Sequence, residues 1–248
     1  MADPLSQEAV PYPHPPDISH LVMEDNEPVD GTFSELQRRL LVDALYDSWV
    51  TDRDFVAQAN VGVFYGLNAP AVVPDVFLSL DVQRRQDVFD RGRSYLAWEY
   101  GKPPDVVIEV VSNPTGGEME KLDRYASFGV PYVVIFDPEH HLSGRTLRGW
   151  QHHGKEYVEL AHLGALPGIG LGLTLWEGTF QDVEGQWLRW CDADGNLLPL
   201  GAESAEREAE RAEREAERAE REAERAEREA QRAERLAARL RELGVEDV

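Results

Sequence analysis

DVVIEVVSNPTGGEMEKLDRYASFGV, residues 105–130, decides how this chain folds. Its first third is a near-continuous apolar run, the pattern of a strand buried on both faces. The segment EMEKLDRYASFGV then reads as a helix, with Met119, Leu122, Tyr125, Ala126 and Phe128 available to pack and Gly129 as its stop signal. YVVIFDP, from residue 132, is a second buried strand. Strand, helix and strand at this spacing imply a parallel pair with a right-handed crossover. One residue breaks the apolar pattern: Glu109. An ionised group in a buried strand costs several kcal/mol, roughly, unless it is compensated. Either its side chain reaches water at a sheet edge, or it meets a lysine, a metal ion, or both.

Outward from this unit, TFSELQRRLLVDALYDSW (32–49) has a helical period, with Phe33, Leu36, Leu40, Ala44 and Leu45 on one face. Thr32 or Ser34 is placed to cap its start, and Glu35 falls in its first turn. FVAQAN and VGVFYG (55–66) read as a hairpin or a bent strand, followed by the strand VVPDVFLSL (72–80). RGRSYLAW (91–98) reads as an extended edge stretch, and LRGWQHH, EYVEL, LTLWEGTF and QWLRWCD supply further strands to about residue 192. The expectation is a mixed α/β domain over 31–202. Prolines at 4, 11, 13, 15, 16 and 28 make residues 1–30 an irregular arm.

From Ala205 the unit AEREAER recurs every seven residues, and 203–248 forms a third segment. With Ala205 at heptad position d, Ala209 falls at a and Ala212 at d, a pattern that favours a left-handed coiled coil. Alanine at the seam buries little area, so a solvated single helix with pairs such as Glu210–Arg214 and Glu217–Arg221 is an equal reading. Residues 203–243 are therefore either a seam for a homo-oligomer or partner helix, or a free rod.

The net charge is -22, and 203–243 hold 14 Glu against 11 Arg, so the remainder of the chain carries -19. Nucleic-acid-binding proteins usually show a basic face, which this balance opposes. Cys191 is the single cysteine, so no intrachain disulfide exists. The N-terminus lacks an apolar signal core, and no segment approaches the ~20 apolar residues of a membrane span. The expectation is a soluble, cytoplasmic protein with no membrane partner.

Asp75 follows Pro74 at the start of its strand, and Lys121 lies twelve residues after Glu109. Lysine is scarce: Lys102, Lys121 and Lys155 stand against 22 Arg. Two carboxylates on neighbouring strands plus a lysine suit phosphodiester cleavage. The acids hold a hard cation such as Mg²⁺, which polarises the phosphate and activates water, while the lysine offsets charge. A purely structural Glu109–Lys121 ion pair satisfies the same residues.

Asp75 after proline, the run IEVVS, the Lys–Tyr helix and the closing FDP together resemble the Uma-two family of endonuclease-like proteins. That family belongs to the PD-(D/E)XK restriction-endonuclease-like superfamily, and the resemblance covers about residues 30–200. It implies a mixed β-sheet core flanked by helices, with the long C-terminal helix or coiled coil outside it. It also implies a metal-dependent endonuclease acting on DNA, with Mg²⁺ or Mn²⁺ as cofactor. Asp75, Glu109 and the Val110 carbonyl would be metal ligands and Lys121 the catalytic cation, with Glu35 an outer carboxylate. The superfamily lysine stands two residues after the Glu, where this chain has Val111; the resemblance places that role on Lys121.

The second reading keeps the fold without catalysis, as a binding or assembly module using its tail; the acidic charge favours it. Asp105 and Asp137 read as strand-end residues, and Tyr125 as core with a hydrogen bond to the site. The pairs His140–His141 and His152–His153 lack zinc-site spacing.

Overall fold

A computed structural model describes residues 31–66, 69–89, 91–113 and 117–242. The Pro-rich arm at 1–30 and the end of the tail at 243–248 lie outside them. In chain order the elements are α1 (Thr32–Ser48), β1 (Phe55–Ala59), β2 (Val63–Phe64), β3 (Val76–Leu80), β4 (Tyr95–Leu96), α2 (Ala97–Tyr100) and β5 (Val106–Val110). There follow α3 (Glu118–Phe128), β6 (Tyr132–Phe136), β7 (Leu147–His153), β8 (Glu156–Glu159), β9 (Gly172–Phe180), β10 (Val183–Cys191) and α4 (Gly201–Glu242).

The central sheet runs β1-β3-β5-β6-β7-β8. Only β5 and β6 pair in parallel, through the α3 crossover that the opening stretch foretold; the other neighbours are antiparallel. Gly129, at φ 73°, ends α3 in the left-handed conformation that glycine adopts without a Cβ penalty. All five residues of β5 are buried, because the period-2 alternation of a strand sends its side chains into two separate cores. Val106, Ile108 and Val110 join Leu41, Ala44 and Leu45 of α1 and Leu173, Leu188 and Trp190 of the β9–β10 hairpin. Val107 faces the other way, into a cluster with Val133, Leu122 and Tyr125. Glu109 shares the parity of Val107 and thus the α3 face.

Helix α1 is tied to β10 by a reciprocal pair: the Gln37 side chain donates to the Leu188 carbonyl and accepts from its N–H, both at 2.9 Å. Trp190 donates to the Leu41 carbonyl at 2.9 Å, and Trp187 stacks on Phe33 with ring centroids 4.8 Å apart.

Three local readings of the sequence are corrected. Segments 55–60 and 61–66 do not form a hairpin: β1 pairs with β3, and β2 pairs with β4 in a separate two-stranded parallel unit. Residues 91–98 are a 3₁₀ turn, the short β4 and the start of α2, rather than an extended edge. Neither Thr32 nor Ser34 caps α1; the cap position is Gly31, with no side-chain bond, and Ser34 is buried within the helix. Which segments pair is set by non-local packing that local propensity does not report.

Helix α4 is rooted in the domain. Arg189 of β10, 2 % exposed at its side chain, makes a two-pronged ion pair with Glu203 at 2.9 and 2.8 Å and also donates to the Leu198 carbonyl at 2.7 Å. Beyond its root the helix is exposed. The pairs Glu210–Arg214 (3.7 Å) and Glu217–Arg221 (3.5 Å) form as their spacing predicted. With 42 residues the helix extends about 60 Å.

Candidate active site

The register of β3 and β5 brings the two acids together. Val76 pairs with Ile108 in an antiparallel ladder, so one step further Asp75 stands opposite Glu109. The Asp75 carboxylate accepts from the Val110 backbone N–H through Oδ2 at 2.8 Å. Its other oxygen, Oδ1, accepts from the Arg38 guanidinium at 3.0 Å.

Glu109 is fully buried. Its Oε2 accepts from Lys121 Nζ at 2.7 Å and its Oε1 from the Tyr125 hydroxyl at 2.5 Å. Lys121 and Tyr125 lie one turn apart on α3 and therefore project from one face of it. The question posed by Glu109 thus has a structural answer: it does not reach water, and a lysine meets it. Lys121 is 31 % exposed, so the ammonium joins the buried carboxylate to the surface.

Burial pushes the Glu109 carboxyl up to about 7. The Lys121 charge opposes this, and the nearby Asp75 charge adds to it. Tyr125 is driven well above the ordinary phenol range, first by burial and then by the Glu109 charge and hydrogen bond. The hydroxyl therefore stays protonated and remains a donor to the carboxylate.

All four carboxylate oxygens accept a hydrogen bond, but each retains a second lone-pair site. Two neighbouring carboxylates, one of them raised toward neutrality by burial and by the charge of the other, are a pair of oxygen donors whose repulsion a divalent cation relieves. The residues fit a hard cation on that ground. Among the described residues no three His, Cys, Asp or Glu side chains cluster as a metal site. A third oxygen would accordingly come from the backbone, water or substrate.

Glu35 stays at the rim, exposed and ion-paired with Arg39. It lines a groove of about 280 Å³ together with Arg38, Arg39, Val42, Asp43, Ala59 and Asn60. Asp105 is structural: it accepts from the Leu80 N–H at 2.7 Å and Lys102 at 2.6 Å. Asp137 closes a turn by accepting from the N–H groups of His141 and Leu142, both at 2.8 Å.

Arg38 was not among the residues singled out from the sequence. The signal was present: Ser34, Arg38, Leu41 and Leu45 follow the i, i+4, i+7, i+11 row of one helix face. A guanidinium in that row is only 4 % exposed and needs a buried anion.

A mixed multi-stranded sheet flanked by helices is consistent with the restriction-endonuclease-like fold, and the long C-terminal helix extends beyond it. The family model Uma2, described as a putative restriction endonuclease, matches residues 23–175. The chain belongs to that family. No curated protein matches the sequence. No helix among the described residues is long and apolar enough to cross a membrane.

Proposed function

We propose that this protein is a metal-dependent endonuclease that hydrolyses DNA phosphodiester bonds at the Asp75–Glu109–Lys121 site. The observation that carries the reading is the apposition of Asp75 and Glu109 on adjacent strands with the Lys121 ammonium on Glu109. The Glu109–Lys121 ion pair needs only one acid; a second, itself held by Arg38, lies near enough for its charge to add to the rise that burial imposes on Glu109. Asp75 and Glu109 would hold Mg²⁺ or Mn²⁺. The N–H and carbonyl of one extended residue leave a strand on the same side, which puts the Val110 carbonyl on the Asp75 side as a third oxygen.

When bound, the cation supplies charge at the phosphate and a lowered pKa for attacking water. The chain's own groups do the rest. Lys121 offers an ammonium against the charge that gathers on phosphate oxygens in the transition state. Tyr125 fixes the Glu109 carboxylate so that its oxygens keep one orientation. Burial keeps competing water off Glu109.

Calorimetric titration of Mn²⁺ and Mg²⁺ into the wild type and the Glu109→Gln protein tests the metal site. The variant is expected to bind at least about tenfold more weakly. Equal affinity in a folded variant favours the second reading, a nuclease-fold module without catalysis, to which the net charge of -22 lends support.

The tail reads as a rod. Over residues 205–239, with alanine at a and d, positions e and g hold Glu213, Glu215, Glu220, Glu222, Glu227 and Glu229, while the arginines fall at c and f. Parallel or antiparallel pairing of two such helices sets glutamate against glutamate along both flanks, with little apolar gain from alanine to offset it. At neutral pH, deleting residues 210–248 is expected to leave the number of subunits unchanged, as measured by sedimentation equilibrium. The cut falls after Glu203 so that Arg189 keeps its partner.

A further inference from the structure

Two carboxyl groups, Asp75 and Glu109, meet two side-chain cations, Arg38 and Lys121, at the site. A divalent cation entering this set adds two positive charges, and withdrawal of one side-chain cation halves that surplus. Their anchoring differs. Lys121 bonds the fully buried Glu109, which also accepts from Tyr125. Arg38 bonds Asp75, the more open of the two acids, 17 % exposed against 0 %. Arg38 also lines a groove whose walls include the carboxylates of Glu35 and Asp43. Space and charge for withdrawal thus exist on the Arg38 side.

We propose that Arg38 is a built-in competitor of the divalent cation. It holds Asp75 Oδ1 when no metal is bound, and metal loading displaces its guanidinium into the groove beside Glu35 and Asp43. The inference rests on the metal-site reading above and adds a residue that sets the site's affinity. In the loaded protein the displaced guanidinium lies beside the acids, where it is placed to meet a substrate phosphate in its planar fork.

The opposite role, a buttress that orients Asp75 for the metal, predicts the opposite sign of effect, so the sign decides. Mn²⁺ titrated calorimetrically into the Arg38→Gln protein is expected to bind about tenfold more tightly than into wild type, since a charge-assisted contact no longer has to be broken. Equal or weaker binding, with wild-type binding intact, overturns the competitor and leaves the metal site standing. Binding by neither protein overturns the metal site, and the inference with it. Should Arg38→Gln not fold, Arg38→Lys keeps a charge but loses the fork, and a several-fold tightening is still expected. A measurement on the unaltered protein stands beside these. Saturation with diamagnetic Mg²⁺ is expected to shift the Arg38 side-chain ¹⁵N resonances in wild type and to leave them in place in Glu109→Gln. Unmoved Arg38 resonances in a Mg²⁺-saturated wild type would refute the displacement.

Discussion

Replacing Lys121 by Met is expected to lower Mn²⁺-supported nicking of plasmid DNA about a hundredfold to a thousandfold, the usual effect of removing one preorganised charge from a transition state. Methionine keeps the unbranched stem that lies along α3 and removes the ammonium alone. The same change has a second readout that needs no substrate. In the wild type the folded Glu109 carboxyl sits near 7, against 4.5 for its ordinary value. The folded protein therefore holds a proton that the unfolded chain has released across that interval. This contribution to stability is fully present below about 4.5 and is lost as pH rises through 7. Without Lys121, burial and the Asp75 charge still push upward, and of the opposing groups only the Tyr125 hydrogen bond is left. The carboxyl then moves higher still, and the loss of stability with rising pH continues past 7. Urea denaturation at pH 5 and pH 8.5 should show a larger drop for Lys121→Met than for wild type, and no such drop from this group in Glu109→Gln. Wild-type nicking by Lys121→Met would remove the lysine from the mechanism; identical pH slopes would remove it from the electrostatics of Glu109.

Glu203→Ala is expected to cost about 2–3 kcal/mol of domain stability, although residue 203 opens an exposed helix. The cause is its partner. Arg189 is 2 % exposed, lies 4.7 Å over the Trp176 ring and would be left as an uncompensated buried charge. Breaking a buried pair from one side typically costs about 3–5 kcal/mol, reduced here because Glu203 is itself about a third exposed. The corresponding fall in thermal midpoint is about 5–10 °C. The Arg189 hydrogen bonds hold the Glu203 carboxyl below its ordinary range. Its contribution is accordingly present above about 4.5 and is lost on acidification, opposite in sign to that of Glu109. Glu210→Ala, seven residues along the same helix, removes only an exposed pair and should change stability by less than about 0.5 kcal/mol. Equal effects at 203 and 210 would show that the tail is not anchored through Arg189.

The amino-acid sequence by itself determined whatever depends on neighbours a few residues apart. The two-residue and 3.6-residue periods of 105–136 specify β5, α3 and β6 and their parallel crossover. Apolar flanks place Glu109 inside a strand, one-turn spacing puts Lys121 and Tyr125 on one helix face, and the heptad unit yields a long helix with its Glu-to-Arg pairs. Only the tertiary structure decided which distant pieces meet. It pairs β1 with β3 rather than with β2, sets Asp75 opposite Glu109, and brings Arg38 to Asp75 and Arg189 to Glu203. The physical reason is that a buried charge demands an opposite charge but not a particular one. The partner is selected by strand register and helix docking, and these are settled by apolar packing across the whole domain.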